Sequence, residues 1–566
     1  MHDLSLLRDS GGFRLSNSAP TKLAMFQQSF RTTSVRRGAE RQTFGAHFPA
    51  LGLLNLAHSL RSDATQGKVS LPEIKYFDEA AYSSEHELAS AMLSWFSDSP
   101  RRIIAASAYT VTIDYLEAFL SRFDPYSHLI ITGGAHATLA PDIANTHIVV
   151  RGEGGAAMRH ILSCLFTEEF GKGADSAGVC YVLDGEKTLQ KQAFDRSLEI
   201  LSSPAFAYDL LPHDATGNIY ATSFTRMLGH KPQIYICTQS CRARCTFCST
   251  YLIHGKTKAR PIHLIRDDLD HLVKTLNYDC IEFHDDDLLQ HPDFIELLDV
   301  MYSLNVPWFC YGRVDTITDD IADRMAAAGC KRVFLGIESM DQEALDYYNK
   351  KTSVEANHAA VEALARAGIG VVAGFIVGGP SDTVDSVLKN LDAFLSLPLL
   401  AINCSVLSPD PGTAEFNRAR RKGGEFLTVI GGENGNRLIP QPERFGIEAP
   451  MGLPTVCENI SKADLGQLVN LIDAEFYLRE QIWLGLTNGL SVDQITVVRD
   501  WYSFVYERLH SNRYTGKYGP IADRLVLLEQ RIQQEHWLKR VLEDDTYISA
   551  QESDFFVDRI TGTTGN

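Results

Sequence analysis

The sequence predicts an α/β protein with an open, doubly wound (Rossmann-like) sheet near the amino terminus, a partial (β/α)6 TIM-like barrel in the middle and a mostly helical carboxyl-terminal extension. Three observations predict it. Short apolar runs alternate with amphipathic stretches up to residue 166, the alternation restarts at Gln233 and lasts to about 407, and after about 424 only helical periodicity remains. With 566 residues, 45% of them hydrophobic and 22% charged, the chain can bury two or three cores.

Residues 1–45, rich in Ser, Thr and Arg, read as a leader or first strand; the interspersed Asp3, Asp9 and Glu40 argue against an organelle address. In a first domain, 46–185, strands are expected at Ile74–Phe77, Ile103–Ser107, Leu129–Thr132 and Ile148–Val150, with helices at about 84–97, 112–122 and 155–166. Gly178–Leu183 followed by Asp184-Gly185 reads as a terminal hairpin. Periodicity lapses over 186–230, the expected linker. In the second series, 231–424, the strand candidates are Ile234–Cys237, Cys280–Phe283, Trp308–Tyr311, Val333–Ile337, Val371–Val377 and Ile402–Leu407. Helices between them fall at about 263–276, 292–304, 318–328, 353–367 and 383–396, each ending near Gly, Pro or Asn. Six repeats stop short of the eight of a full barrel. The last region, 425–566, opens on a Gly- and Pro-rich stretch and then reads as helices at about 462–487, 492–509 and 519–543. Its Trp483, Trp501, Tyr502 and Trp537 stand at spacings that core positions take.

The formal net charge of −18 comes with no Lys/Arg block that could track phosphates, which argues against a nucleic-acid partner. No run of about 18 apolar residues suggests a membrane span, and the start lacks the order of a secretory signal, so a cytoplasmic location is expected. Eleven cysteines are too sparse for a disulfide framework. Most are scattered among apolar residues, where Cys acts as a small hydrophobe.

The exception is Cys241-Arg-Ala-Arg-Cys245-Thr-Phe-Cys248, a C-x3-C-x2-C run directly after the first strand of the second series. Three thiolates can hold an iron–sulfur cubane and leave one iron open to a ligand. A zinc site with Cys237 as fourth thiolate is the alternative, weakened by the missing second C-x2-C half.

This motif, together with the βα series from about 233 to 423, resembles the radical S-adenosylmethionine superfamily, whose catalytic domain is a six-stranded partial barrel. The resemblance implies a 4Fe-4S cluster on Cys241, Cys245 and Cys248 whose open iron chelates S-adenosylmethionine, an electron from the cluster then releasing a 5′-deoxyadenosyl radical. It implies an S-adenosylmethionine site at Phe247, beside the last Cys, and at Phe283-His284-Asp285-Asp286-Asp287, where Asp285 and Asp286 would approach the substrate amine. For Asp285–Asp287 a solvated turn or a hard-cation site is the plainer reading. Arg313 in Gly-Arg-Val-Asp and Glu338 in Gly-Ile-Glu-Ser would serve the ribose and methionine ends. Gly374, Ile376 and Gly378, in Gly374-Phe-Ile376-Val-Gly378-Gly379-Pro380, would pack on adenine. Ser408-Pro-Asp-Pro411-Gly412-Thr413 completes the pattern of one subgroup. Ser240 stands where many relatives have Gly.

The first domain resembles the cobalamin-binding domain of one large subgroup. Phe48-Pro49-Ala50-Leu51-Gly52-Leu53 looks like its helix entry, Ser107-Ala-Tyr109-Thr110 like its third-strand loop, Gly133-Gly134-Ala135-His136-Ala137-Thr138 like its signature and Arg151-Gly152-Glu153-Gly154 like its last loop. All four follow expected strands, where doubly wound sheets bind ligands. The resemblance implies that Ser107, Thr110 and Thr138 hydrogen-bond the corrin while Gly133, Gly134, Gly152 and Glu153 admit its backbone-close edge. The Asp-x-His-x-x-Gly motif that supplies an axial His is absent. His136 is then either a hydrogen-bonded loop histidine or a cobalt ligand, and a base-off corrin would have Tyr109 near its lower face. A mononucleotide site is the alternative for the glycine loops.

The resemblance implies a radical methyltransferase acting on an unactivated carbon of a small molecule or peptide, fed electrons by a flavodoxin or ferredoxin. Radical cyclisation, oxidation or rearrangement without methyl transfer is the second expectation, and a zinc- or nucleotide-binding regulator the third. No residue stands out in the sequence as catalytic.

Overall fold

The computed structural model describes residues 20–27, 50–109, 113–141, 143–164, 180–182, 207–211, 227–407, 409–421, 427–429, 438–440, 456–511 and 519–543. In the first domain β1 (Thr21–Gln27), α1 (Leu51–Thr65), β2 (Glu73–Asp78), α2 (Glu85–Trp95), β3 (Arg101–Ser107), α3 (Ile113–Leu120), β4 (Leu129–Gly133), α4 (Ala135–Leu139), β5 (Ile148–Val150), α5 (Gly154–Cys164) and β6 (Cys180–Val182) follow one another. The sheet order is β2-β1-β3-β4-β5-β6, parallel throughout except for β6 against β5. That is the flavodoxin-like doubly wound order with one antiparallel edge strand added.

Why β1 stands mid-sheet is visible in its residues. Leu23, Ala24, Met25 and Phe26 are all fully buried, the pattern of a parallel strand covered on both faces. Leu23 and Met25 join α1 and α5 on one face; Ala24 and Phe26 join α2 and α3 on the other. The first-strand expectation for residues 1–45 therefore holds at Thr21–Gln27, and residues 1–19 and 28–49 lie outside the described ones. Of the expected terminal hairpin, Cys180–Val182 pairs with β5 and Asp184-Gly185 lies outside the described residues.

Within the expected linker, Tyr208 and Leu211 are core residues. Tyr208 donates to the Ile234 carbonyl at 2.7 Å, and Asp209 pairs with both guanidinium nitrogens of Arg61 on α1 at 2.8 and 3.0 Å. This turn fastens the first domain to the first barrel strand.

The second domain runs β7 (Pro232–Tyr235), β8 (Thr238–Gln239), α6 (Thr250–His254), β9 (Lys258–Ala259), α7 (Ile262–Asp270), β10 (Cys280–Phe283), α8 (Phe294–Leu304), β11 (Trp308–Gly312), α9 (Asp319–Ala327), β12 (Cys330–Glu338), α10 (Gln342–Tyr347), α11 (Val354–Arg366), β13 (Gly370–Val377), α12 (Val384–Ser396), β14 (Ala401–Val406) and α13 (Ala414–Arg421). The strands order as β14-β13-β12-β11-β10-β7, every neighbour parallel, and β7 does not pair with β14. It is the open six-stranded barrel expected. Thr318, Ser353 and Thr383 cap α9, α11 and α12 by accepting from the third residue's N–H, which sets where each helix starts.

In the last region α14 (Lys462–Tyr477), α15 (Glu480–Thr487), α16 (Val492–Ser511), α17 (Gly519–Gln534) and α18 (His536–Glu543) form a bundle. The helix expected over 462–487 breaks at Leu478-Arg479, and that over 519–543 at Glu535. Tyr477 explains the bundle's place. Its hydroxyl donates to the Ile402 carbonyl at 2.5 Å and accepts from the Ile402 N–H at 3.3 Å, satisfying the free edge of β14.

Candidate active site

The ribbon of β8 and β9 frames an excursion, residues 240–257, that carries the three cysteines and α6. Cys241, Cys245 and Cys248 are partly exposed and line one cavity of about 520 Å³ at the carboxyl ends of the barrel strands. Among the described residues no three His, Cys, Asp or Glu side chains gather closely enough to hold a single metal ion. Cys237 is fully buried in the apolar core and does not line this cavity with the other three thiols. The Cys241 thiol accepts from the Ala243 N–H at 3.4 Å, and burial pushes Cys248 up to about 11, so ligation there would release a proton.

Two neighbouring segments and contacts within the excursion itself hold it in place. Thr246 N–H donates to the Tyr348 carbonyl at 2.9 Å, and Ala414 N–H donates to the Thr246 carbonyl at 3.2 Å. Arg244 folds back so that its guanidinium donates to the carbonyls of Cys241, Arg242 and Ala243 and stacks 3.3 Å over Tyr251. Ser240 sits at φ 72°, a left-handed conformation that favours Gly. Its hydroxyl donates to the Gly255 carbonyl at 2.7 Å, which anchors the strained residue.

Phe247, Asp285, Asp286, Arg313 and Glu338, all expected around S-adenosylmethionine, line this same cavity. Their roles differ. Asp285 is nearly inaccessible, and its carboxylate accepts from the N–H groups of Cys237 and Thr238 and from the Thr238 hydroxyl at 2.6 Å. While lining the cavity it also clamps β10 to the β7–β8 turn; burial pushes it up to about 7. Asp286 opens onto the cavity, takes a hydrogen bond from Thr250 at 3.1 Å, and is raised by the protein around it. Burial works against the Arg313 charge, yet Asp315 and the thiols of Cys245 and Cys241 raise its pKa. Glu338, at φ 64° beside a register shift in β12, pairs with Lys350 at 2.7 Å. Gly374, Ile376 and Gly378 do not line the cavity. They stand behind it: a Cβ on Gly374 would come within 3.0 Å of Glu338 Oε2, Ile376 packs with Tyr348, and the Gly378 N–H donates to Asp382 at 2.8 Å.

A second cavity, of about 360 Å³, lies between the two domains. Ser107, Gly133, Gly134, Thr138, Gly152 and Glu153 line it, as expected, from the carboxyl ends of β3, β4 and β5. The Thr138 hydroxyl donates to the Gly134 carbonyl at 2.8 Å and accepts from the Gly152 N–H at 3.0 Å, tying two of the loops together. Gly134, at φ 97°, would bring a Cβ to 3.0 Å from Ser107 Oγ. Tyr109 does not line the cavity, though its neighbour Ser107 does, and His136 is buried in the first domain outside the lining, in keeping with the loop-histidine alternative. Thr110, Phe48, Pro49 and Ser408 lie outside the described residues. The lining has no Lys or Arg; beside the carboxylates of Glu153 and Asp286 it offers glycines, apolar side chains and neutral donors such as Ser107 and Thr138, a set that fits a macrocycle edged with neutral groups and disfavours an anionic one.

His284 and Asp286 line both cavities, so the two spaces meet at the end of β10. Partition helix α6 contributes Thr250, Tyr251 and Leu252 to one and Ile253 and His254 to the other. Behind His284, fully buried Glu282 stands 3.6 Å from its Nδ1 and accepts from the Tyr311 hydroxyl at 3.1 Å. His254, Gln239, Lys350 and α6 escaped the sequence reading. Adjacency to Cys248 could have flagged α6; Lys350 gave no signal, because a turn with Asn349 and Lys351 at positive φ brings it in.

Residues 235–394 match the Radical SAM superfamily. An uncharacterised methyltransferase of Pyrococcus horikoshii is 24% identical over 391 residues, 66% of this chain and 79% of the relative. The bacteriochlorophyllide d C-12(1)-methyltransferase of Chlorobaculum tepidum is 22% identical over 326 residues, 56% of this chain and 66% of its own. The anaerobic magnesium-protoporphyrin IX monomethyl ester cyclase of Cereibacter sphaeroides is 25% identical over 358 residues, 60% of this chain and 56% of its own. The solved structure of the cobalamin-dependent S-adenosylmethionine radical enzyme OxsB, with aqua-cobalamin and S-adenosylmethionine bound, matches with a TM-score of 0.61 at 14% identity, over 96% of this chain and 83% of that one.

Proposed function

We propose that this radical SAM enzyme, built on the fold of a cobalamin-dependent relative, transfers a methyl group to an unactivated carbon of a substrate held where its two cavities meet. The observation that carries this reading is the shared wall of His284 and Asp286: a reactant there touches both the thiol-lined and the glycine-lined space. When bound, the cluster supplies the electron that splits S-adenosylmethionine to a 5′-deoxyadenosyl radical, and cobalamin supplies the methyl group. Cys241, Cys245 and Cys248 hold the cluster. Arg313 offsets the negative charge of their thiolates, and Glu338 with Lys350 and Asp286 offers charges complementary to a bound zwitterion. The loops at Ser107, Gly133–Gly134, Thr138 and Gly152–Glu153 hold the corrin.

Relatives named for bacteriochlorophyllide d and for magnesium-protoporphyrin make a tetrapyrrole the first substrate class to try. The cyclase relatives favour a second reading, radical oxidation or cyclisation of the same substrate class without methyl transfer. The test is incubation of the anaerobic holoenzyme with a reductant of flavodoxin type, CD3-labelled S-adenosylmethionine and a bacteriochlorophyllide, followed by mass spectrometry. A CD3-bearing product with matching 5′-deoxyadenosine is expected. Dehydrogenated or cyclised product without label would establish the second reading, and 5′-deoxyadenosine absent under reduction would contradict both.

A further inference from the structure

A three-residue relay crosses the domain interface at the corrin-side cavity. The Gln239 side-chain nitrogen donates to Glu153 Oε1 at 2.9 Å and lies 2.8 Å from His254 Nδ1. A carboxylate only accepts, so Glu153 fixes which end of the Gln239 amide faces it. Nδ1 also stands 3.8 Å from Glu153 Oε1, beyond hydrogen-bond reach; with the nearer amide nitrogen turned toward it, Nδ1 of the neutral imidazole accepts and the proton belongs on Nε2. The arrangement leaves Gln239 Oε1 buried without a hydrogen-bond partner among the described residues. His254 lines the corrin-side cavity and not the cluster cavity. It therefore faces that cavity's occupant as an N–H donor and has no lone pair to offer a metal.

We infer that His254 is a binding residue that donates a hydrogen bond to an uncharged carbonyl oxygen on the rim of the corrin, a peripheral carboxamide of the ring. This rests on the proposed function, which puts cobalamin in that cavity. Charge decides the class of acceptor. The lining carries the carboxylates of Glu153 and Asp286 and no Lys or Arg, so an anionic oxygen would meet two like charges and no counter-ion. A neutral amide oxygen meets neither difficulty. His254 thus does from the barrel side what Ser107 and Thr138 do from the first domain, and Gln239 and Glu153 act through it as positioning residues.

The test uses the full chain with its cluster in place, produced without cobalamin and titrated with hydroxocobalamin and with cobinamide, which keeps the ring amides and lacks the nucleotide tail. His254→Phe is expected to weaken both ligands about tenfold, the loss of one hydrogen bond in a dry site. His254→Gln, which restores an N–H donor, is expected to stay within about threefold of the wild type. The cobalt(II) paramagnetic resonance spectrum should be the same in wild type and His254→Phe. Equal affinities for wild type and His254→Phe, failure of His254→Gln to rescue, or an effect seen with hydroxocobalamin alone would overturn the inference. So would nitrogen splitting present only in the wild type, which would make His254 a cobalt ligand. A wild type that binds neither probe would overturn the reading of the cavity itself.

Discussion

The two cavities are built on similar parallel α/β frames, yet their walls are chemically opposite. The cluster cavity presents Arg244, Arg313 and Lys350 against Asp285, Asp286 and Glu338; the interdomain cavity presents mostly glycines, apolar side chains and neutral donors, with the carboxylates of Glu153 and Asp286 and no Lys or Arg. The difference reflects what each must hold. A zwitterionic sulfonium beside an anionic cluster needs charges fixed in a partly desolvated space, where unpaired charge is expensive. A broad neutral macrocycle needs backbone close to its edge and few side chains in the way. The thiol-lined wall is a short run of sequence, while the glycine-lined wall is assembled from loops that follow β3, β4 and β5.

Four substitutions separate the two walls. Cys245→Ala has the largest expected effect: iron content falls to near zero by metal analysis while cobalamin uptake persists, because Cys245 does not line the interdomain cavity. Next, Lys350→Met leaves Glu338 unpaired in a largely buried position, which costs about 3–5 kcal/mol. A fall in melting temperature and a loss of S-adenosylmethionine affinity by calorimetry are expected, with cobalamin affinity unchanged. Gly134→Ala is the mirror case. Its positive φ and the close Ser107 Oγ cost about 1–3 kcal/mol and should weaken cobalamin while sparing iron content. Ser240→Gly is expected to change melting temperature least, since relief of about 1 kcal/mol of strain is offset by the lost bond to Gly255.

A pH profile sharpens the same contrast, because the buried carboxylic acid belongs to the cluster side. Asp285 is raised to about 7 when folded, against about 4 when unfolded. The folded state then holds the proton more tightly, so the contribution of Asp285 is present below about pH 4 and is lost as pH rises through about 7. The melting-temperature gap between wild type and Asp285→Asn should narrow over that window; a gap that widens would mean the clamp stabilises the ionised form instead.

How much could be read from the sequence depended on how local each signal was. Cys241–Cys248 lie within one turn-rich segment, and the six barrel strands announce themselves as buried runs such as Val371–Val377, so both were legible. β1 was visible only as a possibility, because the 23 residues between it and α1 separate it from the βα rhythm that identifies its neighbours. Tyr208 sits in a segment without periodicity and packs through its ring and a hydrogen bond to the Ile234 carbonyl, which no pattern reports. Asp285 and Asp286 are adjacent and chemically identical in sequence; only the turn at Cys237-Thr238 makes one a clamp and leaves the other facing the cavities. Lys350 reaches the site from a segment distant from the cysteine motif, and Gln239 and His254, which flank that motif, line the other cavity, so their roles appear only once the chain is folded.

The most direct measurement is the iron and cobalt content, with the absorbance spectrum, of the full chain produced with cobalamin and purified without oxygen. About four irons and one cobalt per chain are expected, with cobalt retained and iron lost in Cys245→Ala. Zinc without iron would contradict the cluster, and iron without cobalt would contradict the second cavity as a corrin site.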